Sequence, residues 1–173
     1  KREVLKLCSS SKNNKNLVNF KKIPNIKKHK HKIKFFKSNK SLFVLFTSGS
    51  TGIPKGIEHG MGGYLLYSKY TTKKQFGLDR KSKFLCASDA GWINGHTYSI
   101  FGPLSIGSTS IILNSPMMML NKQLITTIIK KLKVTGIYLP VTIIKIMKAI
   151  YKKKKFLSKD IKVIGSMGEP LSD

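Results

Sequence analysis

Residues 47–56 read TSGSTGIPKG and follow directly on the apolar run LFVLF. These ten residues hold three glycines, four hydroxyl side chains and one lysine, Lys55. Glycine lets successive backbone N–H groups converge on one point, which makes a concave anion site. Hydroxyl groups add hydrogen-bond donors, and a lysine ammonium adds a charge that can follow a phosphate. The stretch therefore predicts a phosphate-binding loop at the end of a buried strand.

A polar hairpin turn between 42–47 and 56–60 is the alternative interpretation, because such turns are common between strands. A turn does not require four hydroxyl groups and a lysine together, so we favour the phosphate loop. The loop is not a Walker A motif, which needs a glycine directly before the lysine and a serine or threonine after it. Here Pro54 precedes Lys55 and Gly56 follows it. The glycine spacing does not match the dinucleotide-binding pattern GxGxxG either.

Short apolar runs alternate with helical patterns from residue 41 onward, which predicts an α/β fold with a largely parallel sheet flanked by helices. The predicted strands are 42–47, 56–60, 83–88, 108–114, 136–140 and 162–170, and the predicted helices are 61–75, 120–133 and 141–155. Helical spacing places Leu124, Ile128 and Leu132 on the inner face of the second helix. The inner face predicted for the third helix consists of Ile143, Ile144, Met147, Ile150 and Tyr151.

Residues 1–40 are rich in lysine and low in sequence complexity, with no sustained period of a strand or helix. We therefore predict two regions, a lysine-rich lead-in at 1–40 and a folded domain at 41–173. Two histidines lie in the segment KHKHK, where the neighbouring lysines repel a metal ion. We expect no metal site there.

The formal net charge of +26 suggests nucleic-acid or membrane binding at first sight. Only Arg2 and Arg80 are arginines, however, whereas surfaces that bind nucleic acid favour arginine forks and interleaved aromatic side chains. No nucleic-acid-binding motif and no apolar run of spanning length occurs. We therefore expect no specific nucleic-acid partner and no membrane partner. Cys8 and Cys86 form no metal or disulfide pattern, which favours a reducing compartment. We expect the cytoplasm, with an organelle as the open alternative.

Three stretches together resemble the adenylate-forming, AMP-binding enzymes. TSGSTGIPKG resembles the family's phosphate loop, and GSMGEPLS (165–172) resembles the end of its adenine-contacting strand. DAGWINGHTYSIFGPLSIGSTSIIL (89–113) resembles the central segment of the acetyl- or propionyl-CoA synthetase branch. The resemblance covers about residues 41–173. It implies that this region is part of the family's large N-terminal adenylation domain.

The resemblance also implies roles for individual residues. The ATP phosphates would be held by Thr47, Ser48, Gly49, Ser50, Thr51, Gly52 and Lys55, and the adenine by Gly168, Glu169 and Pro170. Trp92, Ile93 and Met167 would lie at the acyl pocket, and Asn94 lies where the family often has a threonine near the coenzyme A path. Trp92 has an alternative interpretation as a core aromatic residue, and His96 is first a candidate for a hydrogen-bonded structural residue. No residue of this chain is expected to be a catalytic group or a metal ligand.

The implied reaction has two steps and no protein nucleophile. A carboxylate oxygen attacks the α-phosphorus of Mg-ATP, giving an acyl adenylate and pyrophosphate. The thiolate of coenzyme A then attacks the acyl carbon and releases AMP. Donors around the departing pyrophosphate stabilise its charge as the transition state forms. The implied substrates and cofactors are therefore ATP, Mg²⁺, coenzyme A and a short carboxylate.

Several of the family's later segments are not found after Asp173, including the ribose-binding aspartate and the C-terminal domain with its catalytic lysine. The resemblance therefore implies an internal segment of a larger enzyme, which needs the remainder of the same chain for activity. Acetate and propionate both stay open as substrates, although the bulk of Ile93 and Met167 favours a small acyl group. A catalytically incompetent basic binding protein is the other hypothesis, and the unbroken TSGSTG, GWINGH and GEP stretches argue against it.

Overall fold

A computed structural model describes residues 33–48, 52–89, 91–151 and 158–171. The chain divides into two units, Lys1–Phe36 and Lys37–Asp173, and the second contains all the helices and strands described below. Most of the predicted lead-in, including both histidines of KHKHK, lies outside the described residues. The domain boundary at residue 41 stays a prediction.

Four parallel strands form the main sheet, in the order β4-β3-β5-β6. They are β3 (Lys83–Cys86), β4 (Thr109–Ile112), β5 (Gly136–Pro140) and β6 (Val163–Met167). The prediction of a largely parallel sheet flanked by helices is confirmed. The two central strands are mostly buried on both faces, as their apolar sequences indicate.

Each face of this sheet packs against helices. One face carries Leu85, Ile137 and Leu139, which pack with α4 (Lys122–Leu132) and α5 (Val141–Tyr151). The opposite face carries an aromatic cluster that includes the end of α1 (Met61–Phe76) and part of the segment that follows β3. Its members are Phe76, Phe84, Tyr98 and Tyr138, with ring centroids 4.9–5.5 Å apart.

Close packing on the aromatic face requires glycine in two neighbouring strands. A Cβ atom at Gly136 would lie 2.8 Å from the Phe84 ring and 2.9 Å from Val163. A Cβ atom at Gly165 would lie 2.8 Å from both the Phe76 and the Tyr138 rings. These glycines therefore make room for the aromatic layer between the sheet and its helices.

A separate two-stranded sheet precedes the main one. Strands β1 (Ser41–Thr47) and β2 (Lys55–Gly60) pair antiparallel, and α1 begins directly after β2. TSGSTGIPKG thus connects two antiparallel strands, so the hairpin interpretation of this stretch is correct as geometry. A hairpin connection does not conflict with phosphate binding. The hairpin describes the path of the backbone, whereas the phosphate loop describes what that backbone would bind.

The segment 93–106 is helical, although its sequence predicted no element. It consists of α2 (Ile93–Gly95), a π-helix (His96–Phe101) and α3 (Gly102–Ile106). A π-helix carries hydrogen bonds between residues five apart, so its buried positions do not follow the period of an α-helix. Thr97, Tyr98 and Ser99 are consecutive buried residues, which no amphipathic α-helical pattern would give.

Helix α4 is shorter than predicted, residues 152–155 of the third predicted helix lie outside the described residues, and the buried faces differ in detail. In α4 the fully buried residues are Ile125, Ile128 and Ile129, with Leu124 and Leu132 packed at the edge of the same cluster. In α5 the fully buried residues are Val141, Ile143, Met147 and Tyr151, and Ile144 is half-buried. The prediction for Ile150 is wrong, since its side chain is 55% exposed. It lies beside the stripe formed by residues four apart, which faces the sheet.

Candidate functional site

The strand order creates a topological switch point at the carboxyl end of the main sheet. Strands β3 and β5 are neighbours, but β3 leads to β4 on one side and β5 leads to β6 on the other. In open α/β sheets, ligands bind where the connections diverge in this way, outside the carboxyl ends of the strands. The turn after β3 and the turn after β6 both lie at this edge. They carry the predicted acyl-pocket and adenine-pocket residues.

Hydrogen bonds shape the turn after β3. The Asp89 carboxylate accepts from Gly91 N at 2.6 Å, and the Asp89 carbonyl accepts from Trp92 N at 3.1 Å. The Trp92 carbonyl then accepts from Gly95 N at 3.0 Å and from His96 N at 3.3 Å, which begins the helical segment. Such a compact, bonded turn can hold the side chains at its tip in a fixed position.

The Trp92 side chain is 71% exposed, so the interpretation as a core aromatic residue is wrong. Ile93 and Asn94 are half-buried in the first helical turn. Trp92, Ile93 and Asn94 therefore form one short surface at the carboxyl edge of the sheet. Their proposed contacts with substrate and coenzyme A stay predictions.

The turn after β6 is open to solvent. Gly168 has a φ of +98°, and Gly168, Glu169 and Pro170 are all exposed. The Glu169 carboxylate lies 3.5 Å from the Lys145 ammonium of α5, and both side chains are about half exposed. This ion pair links the turn to the helix that follows β5, the strand next to β6.

The predicted acyl-pocket residues do not all lie together on the surface. The Met167 side chain is only 8% exposed and packs among Phe76, Phe84, Cys86 and Tyr98. Strand β5 separates β3 from β6, so two strand spacings, about 10 Å, separate these backbones. Met167 is thus a buried side chain of the aromatic cluster, whereas Trp92 is exposed beyond the carboxyl end of β3.

The described phosphate-loop residues lie at the loop end of the hairpin, where β1 leads into the connection to β2. Thr47 and Lys55 are register partners, so the first hydroxyl and the lysine of the stretch are brought side by side. Both are exposed, as is Ser48, and Gly52 has a φ of +77° that disfavours other residues. Gly49, Ser50 and Thr51 lie outside the described residues, so their place in the phosphate loop stays a prediction.

A cluster of rings joins this hairpin to the segment after β3. The Phe43 ring of β1 lies 4.8 Å from the His59 ring of β2 and 4.9 Å from the His96 ring of the π-helix. Tyr64 of α1 and Phe101 of the π-helix complete the cluster, which we call the ring cluster. Of these five residues, only His96 was a candidate for a specific role from its sequence motif, GWINGH. LFVLF is apolar throughout, so its sequence indicates neither which side Phe43 faces nor what its ring contacts.

His96 has the structural role that was its first interpretation. Its Nδ1 lies 3.2 Å from the Trp92 carbonyl oxygen, and its ring stacks on Phe43. Tyr64 shares a 2.8 Å hydrogen bond with Thr97 Oγ1, while burial raises the pKa of the Tyr64 phenol. The ring cluster is therefore anchored by polar contacts as well as by stacking.

The described residues offer little other chemistry. Burial raises the pKa of the Cys86 thiol, which makes it a core side chain rather than a nucleophile. In the described ranges no three His, Cys, Asp or Glu side chains converge as a metal site. No helix in the same ranges is long and apolar enough to cross a membrane.

Known proteins resemble this chain along most of its length. The family model described as AMP-binding enzyme matches residues 1–173. Acetyl-coenzyme A synthetase of Coprinopsis cinerea is 39% identical over 138 residues, covering 78% of this chain and 21% of that protein. Acetyl-coenzyme A synthetase 2 of Saccharomyces cerevisiae is 40% identical over 133 residues, covering 76% and 20% respectively.

A solved structure shares the fold. The acyl-CoA synthetase of Brucella canis matches with a TM-score of 0.66 and 26% identity, covering 79% of this chain and 24% of that one. The chain thus spans about a fifth of the length of the curated relatives it matches.

Proposed function

The chain belongs to the AMP-binding enzymes, and we propose that it is part of an acetyl-CoA synthetase, which joins acetate to coenzyme A with cleavage of ATP. One observation carries this proposal: relatives named acetyl-coenzyme A synthetase are 39% and 40% identical to three quarters of the chain. The geometry supports it, because the two turns at the carboxyl edge of the sheet lie where a nucleotide and its co-substrate can meet.

The reaction begins with attack of an acetate oxygen on the α-phosphorus of Mg-ATP. The bond from the α-phosphorus to the bridging oxygen breaks, and pyrophosphate leaves with that electron pair. The thiolate of coenzyme A then attacks the carbonyl carbon of acetyl adenylate, and AMP departs. Both steps transfer an acyl or nucleotidyl group without oxidation or reduction.

Lys55 and its neighbours would act on the departing pyrophosphate. Lys55 lies opposite Thr47 at the end of the hairpin, so a cation and a hydroxyl donor can approach the same phosphate. Charge on the pyrophosphate grows as the bond breaks, and these donors stabilise it more in the transition state than in bound ATP. Ser48, Gly49, Ser50, Thr51 and Gly52 would complete this loop. Mg²⁺ would arrive with ATP as part of the substrate.

The two turns of the main sheet would receive the rest of the substrates. Gly168, Glu169 and Pro170 would line the adenine, and their exposure leaves that surface accessible. Trp92 and Ile93 would border the acetate above Met167, and Asn94 would lie near the path of coenzyme A. Acetate is the substrate in the relatives' names, and propionate differs from it by one methylene. A pocket distinguishes such a pair by only about 1–3 kcal/mol.

Activity is a property of the whole enzyme. The matched relatives are about five times longer than the region they share with this chain, so further residues of the same polypeptide would close the site. We propose a cytoplasmic location with small molecules as the partners.

The test measures acetate-dependent exchange of pyrophosphate into ATP by the full-length protein. We expect exchange with acetate and weaker exchange with propionate. Replacing Lys55 by Met should lower the rate roughly 100-fold, the usual loss when one donor to a developing charge is removed. Lys130→Met is the matched control, because Lys130 is an exposed lysine on α4. A purified full-length protein that shows no exchange with either carboxylate would refute the proposal.

A further inference from the structure

We propose that Phe43 is a positioning residue. It holds the hairpin of β1 and β2, which we call the phosphate-loop hairpin, at a fixed distance from the segment that bears Trp92 and Asn94. The inference rests on the proposed function, since those two sites must cooperate on one substrate complex. Phe43 itself would touch no substrate. It would act through the ring cluster, whose five members come from β1, β2, α1 and the π-helix.

The contacts of Phe43 reach both sites. Its ring stacks on His96 at 4.9 Å with planes 25° apart, and lies 5.9 Å from Phe101 with planes 14° apart. Its register partner His59 lies 4.8 Å away, and Tyr64 meets its edge at 5.0 Å. Phe43 is thus the ring of the hairpin that contacts the π-helix twice.

The π-helix makes this double contact possible. His96 and Phe101 are five residues apart, and in an α-helix they would point about 140° away from each other. The wider turn of a π-helix brings residues five apart back to one side. Both side chains can therefore stack on the same ring. This accounts for an unusual helix at a segment whose sequence resembles the central motif of the family.

A short path connects the cluster to each site. On one side, His96 Nδ1 lies 3.2 Å from the carbonyl of Trp92, the residue at the tip of the turn after β3. On the other side, Thr47 follows Phe43 by four residues of extended strand, about 14 Å. A tilt of the hairpin at Phe43 is therefore carried to the loop. A misplacement of about 1 Å between reacting groups can lower a rate about 100-fold.

The hairpin offers its own control residue. Phe46 is an aromatic residue on the same strand, but its ring faces the opposite side and is 68% exposed. Phe43→Leu and Phe46→Leu each remove one phenyl ring, and the two rings lie on opposite faces of β1. Only the first should disturb the coupling between the two sites.

The experiment uses the full-length protein and separates kcat from KM. For Phe43→Leu we expect kcat of acetate-dependent pyrophosphate exchange to fall at least tenfold, while KM for ATP and for acetate each change less than threefold. Phe46→Leu should match the parent, and Phe43→Tyr, which keeps the ring, should restore kcat. Unchanged kcat in Phe43→Leu, or an equal loss in Phe46→Leu, would overturn the inference.

Hydrogen–deuterium exchange supplies a readout that does not need activity. Phe43→Leu should speed exchange at the amides of Gly95 and His96, and Phe46→Leu should not. If the parent shows no pyrophosphate exchange, the proposed function fails, while this amide response still decides the positioning role. If Phe43→Leu does not fold, His96→Leu takes its place with the same measurements. Parent-like kcat and parent-like exchange at Gly95 in that variant would overturn the inference.

Discussion

Replacing Gly102 by alanine should destabilise the protein, because this glycine lies where the π-helix meets α1. A Cβ atom at residue 102 would overlap Thr72 Oγ1, and would lie 2.8 Å from the Thr97 carbonyl oxygen and 3.0 Å from Thr72 Cβ. Contacts below 3.0 Å are essentially never seen for real Cβ atoms, so the helices must shift. Thr72 is fully buried, which leaves it little room to move.

The magnitude follows from two opposing effects. Alanine gains about 0.5–1 kcal/mol over glycine in a helix, whereas overpacking costs typically about 1–3 kcal/mol. Gly63 isolates the first effect, because it is exposed in α1 and a Cβ there meets nothing within 4 Å. The helix gain is common to both variants, so we expect Gly102→Ala to be about 1–3 kcal/mol less stable than Gly63→Ala in urea unfolding followed by circular dichroism.

A double-mutant cycle checks the assigned cause. Thr72 Oγ1 has no hydrogen-bond partner within the described part of the chain, so Thr72→Ala loses no such bond there. It removes the atom that a Cβ at residue 102 would overlap. The two changes should therefore couple by about 1 kcal/mol or more. Equal stability of Gly102→Ala and Gly63→Ala, or additive effects in the cycle, would refute the reasoning.

Two further predictions concern the sheet and its carboxyl edge. Burial raises the pKa of Tyr138 to about 12 from 10.0, so between these values the folded state keeps the phenol proton that the unfolded state loses. The contribution of Tyr138 to stability is therefore fully present below pH 10 and is lost as the pH rises towards 12. Tyr138→Phe should flatten that part of the stability–pH curve in denaturant titrations, and an unchanged slope would contradict the assignment. Gly168→Ala should cost about 1–3 kcal/mol from its φ of +98° alone, since a Cβ there meets nothing within 4 Å. It should also raise KM for ATP if this turn lines the adenine, and a KM equal to that of the parent would remove Gly168 from the pocket.

The sequence predicted the main sheet because each strand is a short apolar run bounded by glycine, proline or charge. It could not predict the strand order β4-β3-β5-β6, since that order depends on pairings between residues far apart in the chain. The predicted ends of β3 and β6 were wrong for a related reason. Ala87 continues the apolar run of β3, yet it lies beyond the strand's last residue, Cys86. Hydrophobicity reports burial, and burial continues past the end of the ladder.

The candidate site was predictable as a set of residues and not as an arrangement. The composition of TSGSTGIPKG indicates its chemistry locally, because backbone N–H groups freed by glycine, hydroxyl groups and a lysine ammonium can each donate hydrogen bonds to a phosphate. The ring cluster has no such local signal. Phe43 and His59 lie 16 residues apart, and either could pack anywhere on an inner face. The π-helix brings His96 and Phe101 onto the Phe43 ring, and a search for the 3.6-residue period of an α-helix does not detect such a helix.

The separation of the two sheets has a consequence for how the site can work. Strands β1 and β2 share no ladder with the four parallel strands, so a displacement of the hairpin breaks no hydrogen bond of the main sheet. What resists that displacement at the π-helix is the packing of Phe43, and an aromatic pair adds only about 0.5–1.5 kcal/mol beyond burial. The turns after β3 and β6, by contrast, are fixed to strands paired with buried neighbours. The candidate residues after β3 and β6 are thus tied to a buried sheet, whereas the described contact of the hairpin with the π-helix is the packing of Phe43. Under the proposed function, this difference would leave the hairpin, rather than the main sheet, as the part that adjusts to the phosphates of ATP.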